Sequence, residues 1–418
     1  MTAVIIGGIE NQTENFTYTM EELQALAEAD NLEVVASIHQ KLERPVAATY
    51  FGAGKVTEIF QAGQVHAADA LIVNDELSPT QIRNLEQDTG LTVIDRTALI
   101  LDIFASRART REAKLQVEIA KLQYQLPRLR TSAAEKLDQQ TAGNAGGGFT
   151  NRGAGETKLE LNRRVIEKQI SQLRKKLKDV QKDQVTQSKQ RRASGLPQVA
   201  LVGYTNAGKS TTMNGLLQLT GQEEDKQVFV KNMLFATLDT SVRKVHFADN
   251  KEFLLSDTVG FVSKLPHTLV AAFESTLAEA RNADLLVQVV DASDPHAREM
   301  IATTEETLAS IGIDDIPMIY AYNKADLANT RYPLVTGDTI TYSARDSQSL
   351  QVLADVIRQK IFTGYQTLTF LIPFAEGQLV QQLNEEAQII KTDYLATGTQ
   401  ITAEVSPQLA AQLQDYVQ

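Results

Sequence analysis

The 418-residue sequence contains no cysteine. A disulfide-stapled secreted fold is therefore excluded, as are metal sites built from thiolates. No stretch approaches the roughly 18 consecutive apolar residues of a membrane span. The amino-terminal segment MTAVIIGGIENQ lacks the positive and long apolar regions of a signal peptide. We therefore expect a soluble, cytoplasmic protein without a membrane span.

Histidine is scarce, and its five positions offer no metal-ligand spacing: His39, His66, His246, His267 and His296. Ordinary surface or packing roles are expected for them. The sequence also shows no internal repeat. With 43% hydrophobic and 22% charged residues, the composition is that of a globular protein, and the length is typical of two to four domains.

Positive charge is concentrated in one segment. Between Ser106 and Arg192 there are 21 lysines and arginines but 9 aspartates and glutamates, a net charge of +12, although the whole chain carries −11. Such a basic block is typical of a nucleic-acid-binding surface. A solvated, lysine-rich helix face would give the same count, so the charge alone leaves both interpretations open.

The first hundred residues alternate between short apolar runs and helix-like segments. The predicted strands are AVII, LEVVAS, DALIVN and LTVID, at residues 3–6, 32–37, 69–74 and 91–95. This alternation predicts a small parallel α/β domain over residues 1–105. The glycine-rich stretch Phe51–Lys55 fits no complete phosphate-loop pattern, so we interpret it as the turn that starts a helix.

Two amphipathic helices are predicted between residues 106 and 192. In the first, which Pro127 should end, apolar residues recur at intervals of four and three: Leu115, Ile119, Leu122, Leu126 and Leu129. In the second, which Thr157–Glu160 should open as a capping box, they are Ile166, Ile170, Leu173, Leu177 and Val180. We expect an antiparallel hairpin with a glycine-rich tip at 143–155, followed by a linker at 181–195.

A second α/β pattern begins after the linker. Its predicted strands are at residues 198–203, 252–257, 285–291, 316–323 and 339–344. It predicts a domain with a mostly parallel sheet over residues 197–364. Residues 365–418 combine the strand-like TLTFLIPF and ITAEV with helix-like segments, which predicts a small α+β domain.

The glycine-rich tip GNAGGGFTNRGAG could cradle a phosphate, but residues 203–210, GYTNAGKS, match the complete phosphate-loop pattern G-x-x-x-x-G-K-[ST]. They follow an apolar strand and precede a predicted helix, the context that such a loop requires. Backbone N–H groups of the loop would surround the β-phosphate. Lys209 would reach the β- and γ-phosphate oxygens, and the Ser210 hydroxyl would bind Mg²⁺.

The base and the switch elements are predicted from motifs further along. Asp326 of the N-K-A-D motif can accept two hydrogen bonds from guanine, whereas adenine offers no matching donors. Asp257 of D-T-V-G can hold Mg²⁺ through water, and the Gly260 N–H can contact the γ-phosphate. The Ala344 N–H can reach guanine O6. Thr237 in FATLD is the predicted switch threonine, with Thr240 and Ser241 as rivals.

The predicted nucleotide site is therefore the following set: Gly203, Tyr204, Thr205, Asn206, Ala207, Gly208, Lys209, Ser210, Thr211, Phe235, Ala236, Thr237, Leu238, Asp239, Asp257, Thr258, Val259, Gly260, Asn323, Lys324, Ala325, Asp326, Ser343, Ala344 and Arg345. Its predicted catalytic residues are Lys209, Thr237 and Gly260, and its predicted metal ligands are Ser210 and Thr237. The predicted cofactors are GTP or GDP and Mg²⁺.

The order of these elements is that of a G protein. The stretches VIDRTALILDIFASRARTREAKLQVEIAKLQYQLPRL and GGGFTNRGAGETKLELNRR resemble the diagnostic stretches of the HflX family of ribosome-associated GTPases, as do YFGAGKVTEI and FATLD. The resemblance covers the chain through Ala344. Two positions depart from the family pattern: Gly153-Ala154-Gly155-Glu156 stands where Gly-Pro-Gly-Glu is usual, and Asn162 replaces an acid.

The resemblance implies a GTP hydrolase whose basic hairpin enters the large ribosomal subunit, contacting ribosomal RNA and proteins, and which splits or rescues stalled or idle ribosomes under stress. The predicted RNA contacts are Arg128, Arg130, Arg152, Lys158, Arg163 and Arg164. We expect a monomer that does not bind DNA. The resemblance also leaves open a second nucleotide site, for ATP, in residues 1–95.

The sequence leaves two alternative functions open. One is an ATP-driven protein that remodels ribosomal RNA, and the other is a G-protein module that acts on a protein partner. Asp326 favours guanine over adenine, and the basic block favours RNA over a protein partner. K⁺ is a further candidate cofactor, because Asn206 occupies the place from which potassium-activated G proteins bind that ion. Asn206 supplying only a backbone N–H and a turn is the competing interpretation.

Overall fold

A computed structural model describes residues 2–11, 15–129, 151–193, 195–221, 234–235, 240–247, 249–264 and 277–418, without the side chains of 151–159, 183–193 and 278. The chain divides into two compact units. The first comprises Met1–Ser188, Lys231–Asp239 and Gly260–Thr276, and the second comprises Lys189–Val230, Thr240–Val259 and Leu277–Gln418. Among the described helices, none is both long and apolar enough to cross a membrane.

The amino-terminal part of the first unit contains a parallel sheet in the order β2-β1-β3-β4. Its strands are β1 (Thr2–Glu10), β2 (Leu32–Lys41), β3 (Ala70–Val73) and β4 (Thr92–Asp95). Its helices are α1 (Phe16–Ala29), α2 (Ala53–His66), α3 (Pro79–Thr89) and α4 (Arg96–Arg107). The strand pairings are parallel, so the predicted small parallel α/β domain is confirmed.

The glycine-rich stretch at Phe51 starts a helix, as predicted. Gly52 is the residue before the first turn of α2, with extended backbone angles. The Lys55 ammonium is 2.5 Å from the Glu58 carboxylate one turn further along this helix. The stretch is thus accounted for by a helix start.

The two predicted amphipathic helices are present and pack through their apolar residues. They are α5 (Arg111–Gln125), followed by a 3₁₀ turn at Leu126–Arg128 that contains Pro127, and α6 (Asn151–Ala193). Leu115 and Ile119 form a buried cluster with Ile170 and Leu173. The 3.6-residue periodicity therefore identified the buried face of each helix correctly.

The predicted bounds of the second helix are wrong at both ends. It starts at Asn151 rather than at Thr157, and it continues through Ala193, so residues 181–193 are helical instead of forming a linker. The segment contains no proline before Pro197. Its Gln, Lys and Arg residues have good helix propensity, which allows a polar helix to extend beyond its packed part. The tip residues 143–150 lie outside the described residues.

The second unit contains a sheet in the order β10-β11-β9-β8-β5-β7-β6. Its strands are β5 (Gln198–Gly203), β6 (Ser241–His246), β7 (Glu252–Asp257), β8 (Leu285–Asp291), β9 (Met318–Asn323), β10 (Leu334–Thr336) and β11 (Thr339–Thr341). Its helices are α7 (Lys209–Leu219), α8 (Ala278–Arg281), α9 (Ala297–Ser310) and α10 (Ser347–Ile361).

This sheet is mostly parallel, as predicted. Only β6 and β10 run antiparallel to their neighbours among the described strands. The central strands β5 and β8 are almost entirely buried, as expected for a parallel sheet covered on both faces. Because β5, β7, β8 and β9 are mutually parallel, their carboxyl ends meet at one edge, where α/β proteins bind ligands.

The carboxyl-terminal α+β part has an antiparallel sheet in the order β12-β14-β13. Its elements are β12 (Gln366–Ile372), α11 (Gly377–Glu386), β13 (Gln388–Leu395), β14 (Gly398–Val405) and α12 (Pro407–Gln412). Phe370 and Ile401 of the sheet pack with Leu383 of α11 and Leu409 of α12 in one core. The predicted class is confirmed, but β13 was not predicted.

Candidate nucleotide-binding site

The phosphate-loop sequence forms a turn between β5 and α7. Gly203 and Gly208 have φ angles of +138° and +97°, and Asn206 has a φ of +60°. A Cβ at Gly203 would collide with the backbone oxygen of Val289, and one at Gly208 would collide with the side-chain amide of Asn323. The two motif glycines are therefore required both by backbone angle and by the close approach of neighbouring strands.

Lys209 begins α7 and is buried within this turn. Its ammonium donates hydrogen bonds to the backbone oxygens of Gly203, at 3.0 Å, and Tyr204, at 2.7 Å. Burial lowers the pKa of Lys209 to about 8, and the Asp257 carboxylate opposes that shift. A buried ammonium bonded to neutral oxygens is a position where an incoming anion is favoured.

Ser210 and Asp257 meet beside this lysine. The Ser210 hydroxyl donates a 2.6 Å hydrogen bond to Oδ2 of Asp257, which is fully buried at the end of β7. Burial raises the pKa of the Asp257 carboxyl, whereas Lys209 and the Ser210 hydrogen bond lower it. Oδ1 of Asp257 has no hydrogen-bond partner among the described residues. A hydroxyl and a carboxylate with an open oxygen are ligand types that fit Mg²⁺.

Asn323 joins three motifs. Its side-chain amide nitrogen donates to the backbone oxygen of Ala207 in the phosphate loop, at 2.9 Å. Its side-chain oxygen accepts from the Ala344 N–H, at 2.8 Å. The predicted base-binding loop at Ser343–Arg345 and the N-K-A-D motif are thus held at the same edge as the phosphate loop.

The remaining base-side residues have distinct surroundings. Ala325, Ser343 and Ala344 are buried, while Asp326 is exposed at the surface of this edge. Lys324 has a left-handed φ of +60°, and its ammonium is paired with the Asp291 carboxylate at 2.6 Å. The exposed carboxylate of Asp326 is accessible to the nucleobase of a nucleotide that binds from solvent.

Two buried residues that the motifs did not indicate support this edge. The Tyr342 hydroxyl shares a 2.6 Å hydrogen bond with the hydroxyl of Thr212 in α7. Burial raises the pKa of Tyr342 above its ordinary value, so its hydroxyl keeps its proton. The Tyr342 backbone oxygen accepts from the Ala325 N–H, at 3.2 Å. The only sequence signal was the position of Tyr342 inside the predicted strand 339–344.

The D-T-V-G motif leaves β7 and continues into the first unit. The Thr258 hydroxyl donates to the Leu201 backbone oxygen at 2.8 Å, which ties the motif to β5. Gly260, Phe261 and Val262 belong to the first unit, where Phe261 is 3% exposed. The residue that follows the motif is therefore directed into the protein interior.

Ser263, two residues after Phe261, is hydrogen-bonded to a buried ion pair of the amino-terminal domain. Arg96 and Glu22 form this ion pair, with side chains 2% and 4% exposed. The Arg96 guanidinium donates to the Ser263 backbone oxygen at 3.2 Å, and Glu22 accepts from the Ser263 N–H at 3.3 Å and from its hydroxyl. Lys264 pairs with Asp75 at 2.5 Å. The segment after the motif is thus anchored within the first unit.

The predicted switch threonine, Thr237, lies outside the described residues, as do Ala236, Leu238 and Asp239. Phe235, just before them, is buried, and its ring centre lies 4.5 Å from the ring centre of Phe104 in α4. The rivals Thr240 and Ser241 are half-buried, and Ser241 begins β6.

The predicted RNA contacts differ in what they bind within the protein. Arg128 pairs with the buried Asp95 at 3.0 Å, and its guanidinium lies 3.3 Å from the centre of the Tyr124 ring. Arg163 and Arg164 are more than half exposed and form surface pairs with Glu167 and Glu160. Arg130 lies outside the described residues. Arg152 and Lys158 lie in α6, where their side chains are not described.

Three family models match successive parts of the chain. A model described as GTP-binding GTPase N-terminal matches residues 17–105, and one described as GTP-binding GTPase middle region matches residues 107–191. A model described as 50S ribosome-binding GTPase matches residues 198–324. These models together cover both the basic helices and the phosphate-loop region.

Relatives match over nearly the full length. GTPase HflX of Caldanaerobacter subterraneus subsp. tengcongensis is 40% identical over 96% of this chain and 90% of its own length. GTPase HflX of Alkalihalophilus pseudofirmus is 41% identical over 91% of this chain and 87% of its own. A solved structure of a GTP-binding protein from Sulfolobus solfataricus in complex with GDP is 24% identical, covering 86% of this chain and 99% of that chain with a TM-score of 0.43.

Proposed function

Because the chain belongs to the HflX family of GTPases and hydrolyses GTP to GDP and phosphate, we propose that it binds the large ribosomal subunit and, under GTP control, splits or rescues stalled or idle ribosomes. The observation that carries this proposal is the combination, in one chain, of a phosphate-loop site and a long, exposed basic helix. A nucleotide state that controls binding and a basic surface that contacts RNA are the two parts that such a function needs.

The nucleotide would lie along the turn between β5 and α7, with its β- and γ-phosphates at Lys209 and its guanine at Asp326. The buried Lys209 ammonium favours an anion, and burial of Asp257 favours a nearby cation. Mg²⁺ neutralises phosphate charge when bound. The Ser210 hydroxyl would hold it, with Asp257 acting through water and Thr237 joining in the triphosphate state. The Gly260 N–H would contact the γ-phosphate.

Asn206 would determine whether K⁺ assists the reaction. It is exposed on the phosphate loop with a left-handed φ of +60°. An exposed side-chain amide leaves its oxygen accessible to a monovalent cation beside the phosphates, where the added charge would stabilise the transition state. The competing interpretation, a residue that only forms the turn, is consistent with the same backbone angle.

The basic helix α6 would provide the ribosomal contact. Its described surface carries Lys168, Arg174, Lys175, Lys176, Lys178 and Lys182 in addition to Arg163 and Arg164. These exposed cations would bind RNA phosphates and release counterions, whereas the apolar seam against α5 fixes the helix. The protein would act in the cytoplasm as a monomer, on ribosomal RNA and proteins rather than on DNA.

Cosedimentation with purified large subunits tests the proposal. The protein is mixed with subunits in the presence of GDP, of a non-hydrolysable GTP analogue, and without nucleotide. We expect the most protein in the pellet with the analogue. The variant Lys209→Ala, which should bind triphosphate poorly, is the matched control and should lose this nucleotide dependence. Equal sedimentation in all three conditions would overturn nucleotide control.

Splitting is tested separately by light scattering of intact ribosomes. A fall in scattering that requires both the protein and triphosphate supports splitting, because the separated subunits scatter less than the whole ribosome. Unchanged scattering under conditions where the protein binds would exclude splitting while leaving ribosome binding in place.

A further inference from the structure

The carboxylate of Asp291, at the carboxyl end of β8, is engaged on both oxygens at the nucleotide-binding edge. Oδ2 accepts a 2.6 Å hydrogen bond from the Lys324 ammonium. Oδ1 accepts from the N–H of Ser293 at 3.0 Å and from its hydroxyl at 2.6 Å. Because Ser293 donates twice to Oδ1, the carboxylate is held by its own loop independently of Lys324, which bonds the other oxygen. No motif used in the prediction of the site contains this aspartate.

The backbone on both sides of the pair is also fixed. Asp291 lies directly opposite Asn323 in the parallel pairing of β8 and β9, and the Ala292 N–H donates to the backbone oxygen of Asn323 at 2.7 Å. Asn323 is itself bonded to the phosphate loop. Lys324 leaves the strand with a left-handed φ of +60°. Its stem therefore starts from a rigid point that is tied to the phosphate loop, and it ends at a fixed carboxylate.

Burial makes this ion pair more effective than a surface pair. The Lys324 and Asp291 side chains are 24% and 16% exposed. Exposed lysine–carboxylate pairs often contribute nothing measurable, because solvent screens the charges and both side chains lose freedom. Here the Asp291 carboxylate is already held by Ser293, so the side chain that loses conformational freedom on pairing is mainly that of Lys324. The pair can therefore hold the four-carbon lysine stem in one conformation.

We infer that Asp291 is a positioning residue for nucleotide binding: it holds the Lys324 stem in place as an apolar wall for the flat face of the base. This inference rests on the proposed guanine site at the N-K-A-D motif. A wall that exists before the nucleotide arrives removes the cost of ordering the lysine during binding. Contact with the face of the base does not distinguish its edge groups, so Asp291 contributes to affinity and Asp326 to base selection.

The variant Asp291→Asn tests the inference in the full-length protein, since its amide is neutral and its single oxygen cannot accept from both Ser293 and Lys324. We expect the Kd for GDP and the KM for GTP to rise by the same factor, about tenfold, while kcat at saturating GTP stays within about twofold. The ratio of the Kd values for GDP and IDP, which differ at the exocyclic amine, should not change. Ser293→Ala should give a smaller effect in the same direction.

The matched control is Glu305→Gln. The Glu305 carboxylate accepts a 2.6 Å hydrogen bond from Tyr320 on β9, the strand that also carries Asn323. Its replacement neutralises a carboxylate on α9 that is hydrogen-bonded to the same sheet, and nucleotide affinity should not change. A similar loss in this control would show that the Asp291→Asn effect reflects general weakening of the sheet, which overturns the inference.

Lys324→Met separates the inference from the proposed function. If Asp291 acts through Lys324, Asp291→Asn should have no further effect on the Kd for GDP in the Lys324→Met background. A full additional loss of GDP affinity in that background would overturn the positioning role. So would an unchanged affinity in Asp291→Asn alone when Lys324→Met weakens binding. Either outcome would leave the guanine site in place. If Lys324→Met leaves the Kd for GDP unchanged, an unpaired apolar stem serves equally well and the positioning role is overturned, whereas the guanine site itself is tested by Asp326→Asn.

Discussion

At the scale of single residues, Lys209 links proton binding to nucleotide binding. The ordinary pKa of lysine in an unfolded chain is about 10.4, whereas burial lowers the pKa of Lys209 to about 8. Between these values the nucleotide-free folded protein binds fewer protons than the unfolded chain. Burial of Lys209 therefore destabilises the folded state fully below pH 8, and this cost declines as pH rises through the window.

Binding of GDP should therefore take up a proton at pH 8.5. The phosphates place negative charge beside Lys209 and raise its pKa, so a substantial fraction of one proton should be bound per nucleotide. Titration calorimetry in two buffers with different ionisation enthalpies measures this uptake as a difference in apparent binding enthalpy. Lys209→Met is the control and should show no such difference. Identical enthalpies for the unaltered protein in both buffers would refute the prediction.

Asp326→Asn should weaken guanine selection. Asparagine keeps one acceptor oxygen and loses the other, so affinity for GTP should fall by roughly 10- to 100-fold, since one bond to a charged group contributes about 1.5–3 kcal/mol. Competition of GTP, XTP and ATP against a fluorescent GTP analogue measures the change. Asp315→Asn, another exposed aspartate of the same unit, serves as the control. An unchanged preference for GTP would exclude Asp326 from base recognition.

The site was predictable from sequence where its residues follow one another, and not where they meet through the fold. G-x-x-x-x-G-K-S and D-T-V-G contain their own spacing, so local pattern placed Lys209 and Asp257. Tyr342 and Thr212 are 130 positions apart, and no local spacing indicates their hydrogen bond. The pairing of Asp291 with Lys324 depends in the same way on the order of β8 and β9 in the sheet.

At the scale of elements, buried strands were predicted well and exposed edge strands poorly. The predicted bounds of β5, β7 and β8 agree with the structure because buried parallel strands are continuous apolar runs. In contrast, β13 has the sequence QIIKTDYL, with exposed residues through most of its length. Its pairing with β14 shifts register between Ile389 and Lys391. A bulge interrupts the two-residue alternation by which a strand is predicted.

Replacing Arg152, Lys158, Arg163 and Arg164 together with glutamine should weaken binding to the large subunit and reduce its salt dependence between 50 and 200 mM, an interval over which phosphate contacts lose affinity steeply. Folding should be preserved, because the surface pairs of Arg163 and Arg164 contribute little stability. Binding is measured by cosedimentation, with intrinsic GTPase activity as the check on the nucleotide site. Unaltered affinity and salt dependence would exclude these residues as the RNA contact.

The matched control for this variant carries four neutralised cations outside the basic helices. Lys41, Lys244, Lys360 and Lys391 are exposed side chains of the two units. Their replacement with glutamine changes the net charge equally and should leave binding to the subunit nearly unchanged. An equal loss in both variants would indicate attraction to overall charge rather than a contact through α6.

At the scale of the whole molecule, hydrolysis by the isolated protein should be slow. Many G proteins place glutamine after D-x-x-G to orient water, and here that residue is Phe261, which is buried in the first unit. We expect large subunits to accelerate the reaction, and K⁺ to do so if Asn206 binds it. GTPase rates in K⁺ and Na⁺ at equal ionic strength, with and without subunits, measure both effects. Equal rates in the two salts would exclude K⁺, and fast hydrolysis without subunits would exclude a need for activation.

The first unit includes two segments that follow the phosphate loop in sequence, Lys231–Asp239 and Gly260–Thr276, and this has a consequence for proteolysis. Phe235 packs on Phe104, and Ser263 is bonded by Glu22 and Arg96, although both segments follow the phosphate loop in sequence. A single backbone cleavage between α6 and β5 would therefore not produce an amino-terminal fragment with its native packing. A chain truncated there would expose Phe104 and remove a hydrogen-bonding partner from a buried ion pair, which makes aggregation the expected fate of that fragment.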